Sequence, residues 1–219
     1  MPASLCVAFA RVSRPQSGAP TLSPYAHLAP AQAKEFCKQP HVTFTMVRDP
    51  YDRLASSYLD KVVLQLGTGC NEPRRLLRER GIARPTFEQF IDVLVGVPLS
   101  KQDPHTQPFS HRCATNHFEY DLVGRLRTFD QDMAALFEAL ALRGWRKPYQ
   151  PVHSRDLALL SKTGAKGTEM NRTLAAFGLR PDVLFLHGQE RVDYFYTEAI
   201  REKVKRSFWK EDVEMFAEY

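Results

Sequence analysis

Between residues 41 and 65 the chain changes period. Val42-Thr-Phe-Thr-Met-Val47 is apolar and β-branched, the pattern of a buried strand. From Pro50 onward the apolar positions fall at helical spacing. Tyr51, Leu54, Ala55, Tyr58, Leu59 and Val62 form one stripe, and Arg53, Ser56 and Asp60 lie on the other side. The spacing predicts a helix over about 50–65. Asp49 is placed to cap it. Pro50 suits the first helical position, where its missing N–H would have had no partner.

Other segments are less regular. Residues 1–40, with Pro15, Gly18, Pro20, Pro24 and Pro30, read as a loop-rich leader with one short helix near 31–38. Residues 66–85, rich in Gly, Pro and Arg, read as an insertion or loop. Thr86 and Gln89 form a capping box ahead of Phe87, Phe90, Ile91, Leu94 and Val95, a helix stopped by Gly96. Residues 97–117 have no period and hold His105, His111 and His117. A second strand is expected at 118–123. A helix follows it, capped by Thr128 and Gln131, with Met133, Leu136, Phe137 and Leu140 inward and Gly144 as its stop. Residues 145–166 read as loop, and 192–219, with Trp209 and Phe216, as helical. Strands separated by helices argue for an α/β fold with a mainly parallel sheet. The leader at 1–40 and a domain at 41–219 are the expected divisions.

Composition narrows the classes. With 219 residues, 43% hydrophobic and 25% charged, the chain is globular rather than disordered. No apolar run approaches the length of a membrane span, and no repeat is visible. The net charge is +5 and the isoelectric point about 9.1, a weak pointer to an anionic partner. The excess is local, at Arg74, Arg75, Arg78, Arg80 and Arg84 and again at Arg201, Lys203, Lys205, Arg206 and Lys210. A solvated face is the simplest reading of each cluster. No aromatic-interleaved basic stretch accompanies them, which argues against a nucleic-acid partner. Cys6, Cys37, Cys70 and Cys113 form no metal knuckle, so no structural metal is expected, and three disulfide pairings stay open. The apolar stretch near residues 3–10 is short and lacks a basic lead, so it reads poorly as a signal peptide.

The junction at 47–58 carries the clearest chemistry. A strand feeding a helix through a tight turn aims backbone N–H groups, and the helix dipole, at an anion. Arg48 at the strand end adds a planar fork of donors suited to phosphate, and Ser56 adds a hydroxyl two turns in. Ligands of open α/β sheets sit at the carboxyl ends of strands. The competing reading is a plain helix cap with a surface ion pair.

The residues Arg48-Asp-Pro-Tyr-Asp-Arg53-Leu-Ala-Ser56-Ser-Tyr58 resemble the 3′-phosphate-binding segment of the family-2 carbohydrate sulfotransferases, Golgi enzymes acting on chondroitin, dermatan and related glycans. Asp103-x-His105-x-x-Pro108, Cys113, Tyr120-Asp121-Leu-Val-Gly124 and Asp132 resemble a second block of that family. Asp212, Phe216 and Tyr219 resemble its closing motif.

The resemblance implies a P-loop-like three-layer fold. It also implies transfer of a sulfuryl group from 3′-phosphoadenosine 5′-phosphosulfate to a carbohydrate hydroxyl. Arg48 and Ser56 would bind the donor's 3′-phosphate, and His105, whose residue type titrates near neutral pH, would be the general base. His111 and His117 are weaker candidates. Arg112 or the arginines at 74–84 could meet an anionic glycan, though solvated surface is the simpler reading. Cys113 reads equally as half a disulfide or as a buried thiol. A Golgi lumen or membrane location follows from the resemblance alone.

Residues 1–40 hold no match to the family's phosphate loop, a strand followed by Lys with Ser or Thr. Nor is a stem or anchor visible, so the fold is expected to be incomplete at its N-terminal side or diverged there. The alternative function is therefore a catalytically silent module of the same fold that binds a nucleotide or a sulfated glycan.

Overall fold

The computed structural model describes residues 8–11, 22–23, 41–65, 72–112, 120–142 and 164–218. They fall into two units, one within Pro2–Arg48 and Phe109–Val152, the other within Asp49–Pro108 and His153–Tyr219. The strands are β1 (Ala8–Arg11), β2 (Leu22–Ser23), β3 (His41–Val47) and β4 (Leu122–Arg125). The first helices are α1 (Pro50–Ser57), α2 (Glu72–Glu79), α3 (Phe87–Val95), α4 (Phe109–Arg112) and α5 (Phe129–Leu142). They are followed by α6 (Gly164–Ala176), α7 (Gln189–Phe195), α8 (Glu198–Lys205) and α9 (Lys210–Glu218).

The sheet unit has strand order β2-β1-β3-β4. β3 is the strand expected from the β-branched run. It pairs parallel with β4, Phe44 opposite Leu122 and Val47 opposite Arg125. β1 runs antiparallel to both β3 and β2. The α/β class stands, with its parallel pairing among the described strands at the β3–β4 ladder. The segment read as a loop-rich leader supplies β1 and β2, while the helix expected at 31–38 lies outside the described residues. Thr43 through Val47 are all buried, so both alternating sets of side chains are covered. Phe44 and Met46 pack with Leu136 and Leu140 of α5, and Met133 and Phe137 lie against the same cluster.

Two carboxylates fix β4 in place. The Asp121 carboxylate accepts from the backbone N–H of Thr43 at 2.7 Å and from its hydroxyl at 2.8 Å. Asp121 N–H donates back to the same hydroxyl at 2.9 Å. That side-chain lock precedes the ladder, and β4 begins at Leu122, while residues 118–119 of the expected strand lie outside the described residues. Asp132 accepts from Arg125 N–H and from the Thr128 hydroxyl, both at 2.6 Å. The residue that reaches back to the start of α5 is therefore Asp132, where Gln131 was expected. Gly124 lies where a Cβ would come within 2.5 Å of Met46 Sδ and 3.0 Å of Asp132 Cβ, so close approach requires the glycine.

The helical unit has its own core, in which Leu54, Tyr58, Phe87, Phe90, Phe195 and Trp209 are buried. α1 begins as expected and buries Leu54 and Ala55 of the expected stripe, but Arg53 is buried with them, and the helix widens after Ser57 into a π-helical turn over Tyr58–Val63, with Leu64 N–H bonding Leu59 O at 2.8 Å. The segment at 66–85 is not simply a loop. α2 forms there, with Leu77 buried and an Arg75–Glu79 ion pair one turn apart. α2 ends in a Schellman turn. Gly81 has φ +74°, its N–H bonds Arg78 O at 2.8 Å, and Ile82 N–H bonds Leu77 O at 3.0 Å. The Thr86–Gln89 capping box forms as expected, with both reciprocal bonds present. The expected C-terminal helical stretch is three helices, α7, α8 and α9.

Candidate active site

The chain passes from β3 through Arg48 and Asp49 into α1. Arg48 and Ser56 are half-buried. Asp49 caps the helix. Its Oδ1 accepts from Tyr51 N–H at 2.7 Å and Asp52 N–H at 3.1 Å. This corrects the expectation that α1 offers free N–H groups to a ligand, because the protein's own carboxylate occupies two of the first-turn donors.

The first turn is braced further. Asp52 pairs with Arg191 of α7 at 3.1 Å, both side chains nearly buried. Tyr196 donates its hydroxyl proton to Tyr51 O at 3.0 Å, and the two rings meet edge to face. Arg201 lies over both rings. Burial, and secondarily the Asp49 carboxylate, push the Tyr196 and Tyr51 phenols above their ordinary range. Burial likewise raises Tyr58, whose hydroxyl donates to Pro85 O at 2.7 Å.

His105 sits in a tight turn that begins at Asp103. Asp103 Oδ1 lies 2.6 Å from His105 Nδ1 and accepts the His105 backbone N–H at 2.7 Å. Asp103 O accepts from Thr106 N–H at 2.8 Å and Gln107 N–H at 3.0 Å. The Asp103 side chain is 2% exposed and that of His105 is 19% exposed. A buried carboxylate against Nδ1 assigns the ring proton to that nitrogen and leaves the Nε2 lone pair as the basic site. This is the arrangement by which an acid orients a histidine base. Asp103 is the partner of His105 that a search for candidate bases alone misses. Its signal in the sequence is the Asp-x-His spacing, which suits a side chain folding back onto its own turn.

The flanking segment is bonded through two glutamine amides. Gln102 Nε2 donates to Leu94 O and Val97 O, and Gln107 Nε2 donates to Leu99 O and Gln102 O, at 2.9–3.0 Å. The aperiodic stretch at 97–108 is thus held by side-chain amides that tie its short backbone turns together.

Arg53, expected on the polar side of its helix, is buried and turned toward residue 104 and Asp212 of α9. Trp209 is buried in the core. Asp121 and Asp132, which read as part of a family block, each accept from a strand N–H and a threonine hydroxyl in the sheet unit. His111 is exposed on α4. His117, Cys6, Cys37, Cys70, Cys113 and Tyr219 lie outside the described residues, and the Arg112 side chain is likewise not described. On α2, Arg74 is half-buried, and burial with the neighbouring Arg78 charge lowers its pKa. Among the described residues no group of His, Cys, Asp and Glu could hold a metal, and no helix is long and apolar enough to cross a membrane.

Comparison with known proteins points the same way as the motifs. Carbohydrate sulfotransferase 11 of Mus musculus is 25% identical over 122 residues, covering 49% of this chain and 35% of its own length. Carbohydrate sulfotransferase 12 of Xenopus laevis is 28% identical over 135 residues, covering 53% of this chain and 31% of its own. Carbohydrate sulfotransferase 11 of Danio rerio is 29% identical over 109 residues, covering 42% and 30%. The chain thus matches about a third of the length of each of these relatives. No solved structure matches. The family model described as "Sulfotransferase family" matches residues 12–219, nearly the whole sequence, and the chain belongs to that family.

Proposed function

We propose that the chain transfers a sulfuryl group from 3′-phosphoadenosine 5′-phosphosulfate to a hydroxyl of a carbohydrate acceptor, in a Golgi setting. The Asp103–His105 pair carries the reading. His105 Nε2 takes the proton of the acceptor hydroxyl as its oxygen attacks sulfur, and Asp103 holds the ring and balances the imidazolium that forms. The S–O bond to the 5′-phosphate breaks, and adenosine 3′,5′-bisphosphate leaves. Arg48 and Ser56 are assigned to the 3′-phosphate on the strength of the motif. A guanidinium fork and a hydroxyl are the donors that suit phosphate oxygens.

One observation favours the silent-module alternative. β1 lies next to β3 but antiparallel to it, so its carboxyl end points away from the carboxyl end of β3. A phosphate loop following β1 would open at the opposite edge of the sheet.

Calorimetry tests the donor assignment. Adenosine 3′,5′-bisphosphate should bind, 5′-AMP should bind at least tenfold more weakly, and Arg48→Ala should remove the difference. Equal weak binding of both nucleotides would reject the assignment. Selective binding without sulfate transfer to any of a panel of glycans would establish the silent module.

A further inference from the structure

Three successive peptide carbonyls in the His105 turn each lie within hydrogen-bond distance of a buried side-chain donor. Arg53 Nη2 donates to Pro104 O at 3.1 Å, Ser57 Oγ lies 2.9 Å from both His105 O and Arg53 O and divides its one proton between them, and Trp209 Nε1 donates to Thr106 O at 2.9 Å. The exposures of Arg53, Ser57 and Trp209 are 3%, 3% and 1%. Arg53 and Ser57 are one turn apart on α1 and present the same face. Trp209 immediately precedes α9, and its carbonyl accepts Val213 N–H at 2.9 Å. Asp212, itself 1% exposed, lies 3.9 Å from Arg53 Nη1 and supplies the counter-charge that a buried guanidinium needs.

We propose that Arg53, Ser57 and Trp209 are positioning residues, a three-donor clamp that holds the Asp103–His105 pair in working geometry and makes the start of α9 part of the catalytic apparatus. This rests on the reading of His105 as the base. The Arg53 guanidinium sits between the Pro104 carbonyl and the Asp212 carboxylate, and it serves the base. α1 then carries both functions on different faces, with Ser56 for the donor and, on the buried face, Arg53 and Ser57 for the base. Peptide carbonyls are strong acceptors, and one that is buried without a partner drives local rearrangement. Displacing a catalytic group by about 1 Å can cost on the order of a hundredfold in rate.

Ser57→Ala and Trp209→Phe each remove one donor and keep most of the packing. The full-length chain and these variants are compared in two ways. The first is proton NMR of the His105 Nδ1–H, which a short bond to a buried carboxylate moves downfield and shields from exchange. Asp103→Asn identifies the signal. Both clamp variants should broaden or lose it while the rest of the spectrum stays folded. The second is steady-state kinetics. kcat should fall about 10- to 100-fold with KM for the donor unchanged. In a His105→Ala background the same substitutions should have little further effect. An unchanged downfield signal in both variants overturns the clamp whatever the activity. A His105→Ala protein with full activity overturns the base assignment instead, so the two failures are separable.

Discussion

Asp103 and His105 meet through a single oxygen. Oδ1 of the buried carboxylate bonds both the ring Nδ1 and the backbone N–H of the histidine two residues on. Backbone and side chain are thus fixed by one group, which leaves Nε2 to act. Asp103→Asn keeps the size but offers the ring an amide, favouring the wrong tautomer and removing the charge that balances an imidazolium. The expected result is a loss of about 10² to 10⁴ in kcat, with nucleotide affinity retained. Steady-state kinetics beside calorimetry checks it.

At the start of α1 the Asp49 cap takes two first-turn donors. Asp49→Ala should cost about 1 kcal/mol, and Asn in its place should restore most of that. Urea unfolding midpoints measure both. A gain of phosphate affinity in Asp49→Ala would show that the cap and an external anion compete for the same N–H groups.

Asp52 and Arg191 form a nearly buried ion pair at 3.1 Å. Removing one partner leaves a buried charge, so Asp52→Ala is expected to destabilise the fold by about 3–5 kcal/mol. Asp52→Ala with Arg191→Met should recover part of the loss, because both charges then go together. Thermal unfolding of the two single variants and the double completes the cycle.

Burial raises Tyr58, Tyr196 and Tyr51 above an ordinary phenol. The folded state holds these protons more tightly than the unfolded state does. Their stabilising contribution is complete below the unfolded value of about 10 and is lost as pH rises beyond it. Denaturant midpoints should therefore hold between pH 8 and 9.5 and fall from about pH 10 upward. Tyr58→Phe should flatten that alkaline fall while lowering stability at neutral pH, since Pro85 O loses its donor.

What the sequence disclosed depended on how local the signal was. β3, the start of α1 and the Thr86–Gln89 box are set by neighbours within four residues, and period and capping chemistry located them. The α2 helix was hidden because its composition is Arg-rich and only the short Leu76-Leu77 pair breaks the run of charges. Its stop, Arg80-Gly81-Ile82, is a Schellman pattern that the glycine makes legible. The π-helical turn at Tyr58–Val63 keeps the same apolar stripe as an α-helix, so period alone cannot separate the two. At the site, His105 was visible as a residue type. Its carboxylate partner could be read only from the Asp-x-His spacing. The burial of Arg53 could not be read at all, because its acceptors are 51 residues away at Pro104 and its counter-charge lies on α9.

Transfer of labelled sulfate from 3′-phosphoadenosine 5′-phosphosulfate to a glycan panel, in a single turnover by the chain and by His105→Ala, tests the base assignment most directly. The expected result is label on at least one glycan with the unaltered chain. With His105→Ala the rate should be about 10² to 10⁴ lower at undiminished adenosine 3′,5′-bisphosphate affinity. Equal rates in the two proteins would contradict it.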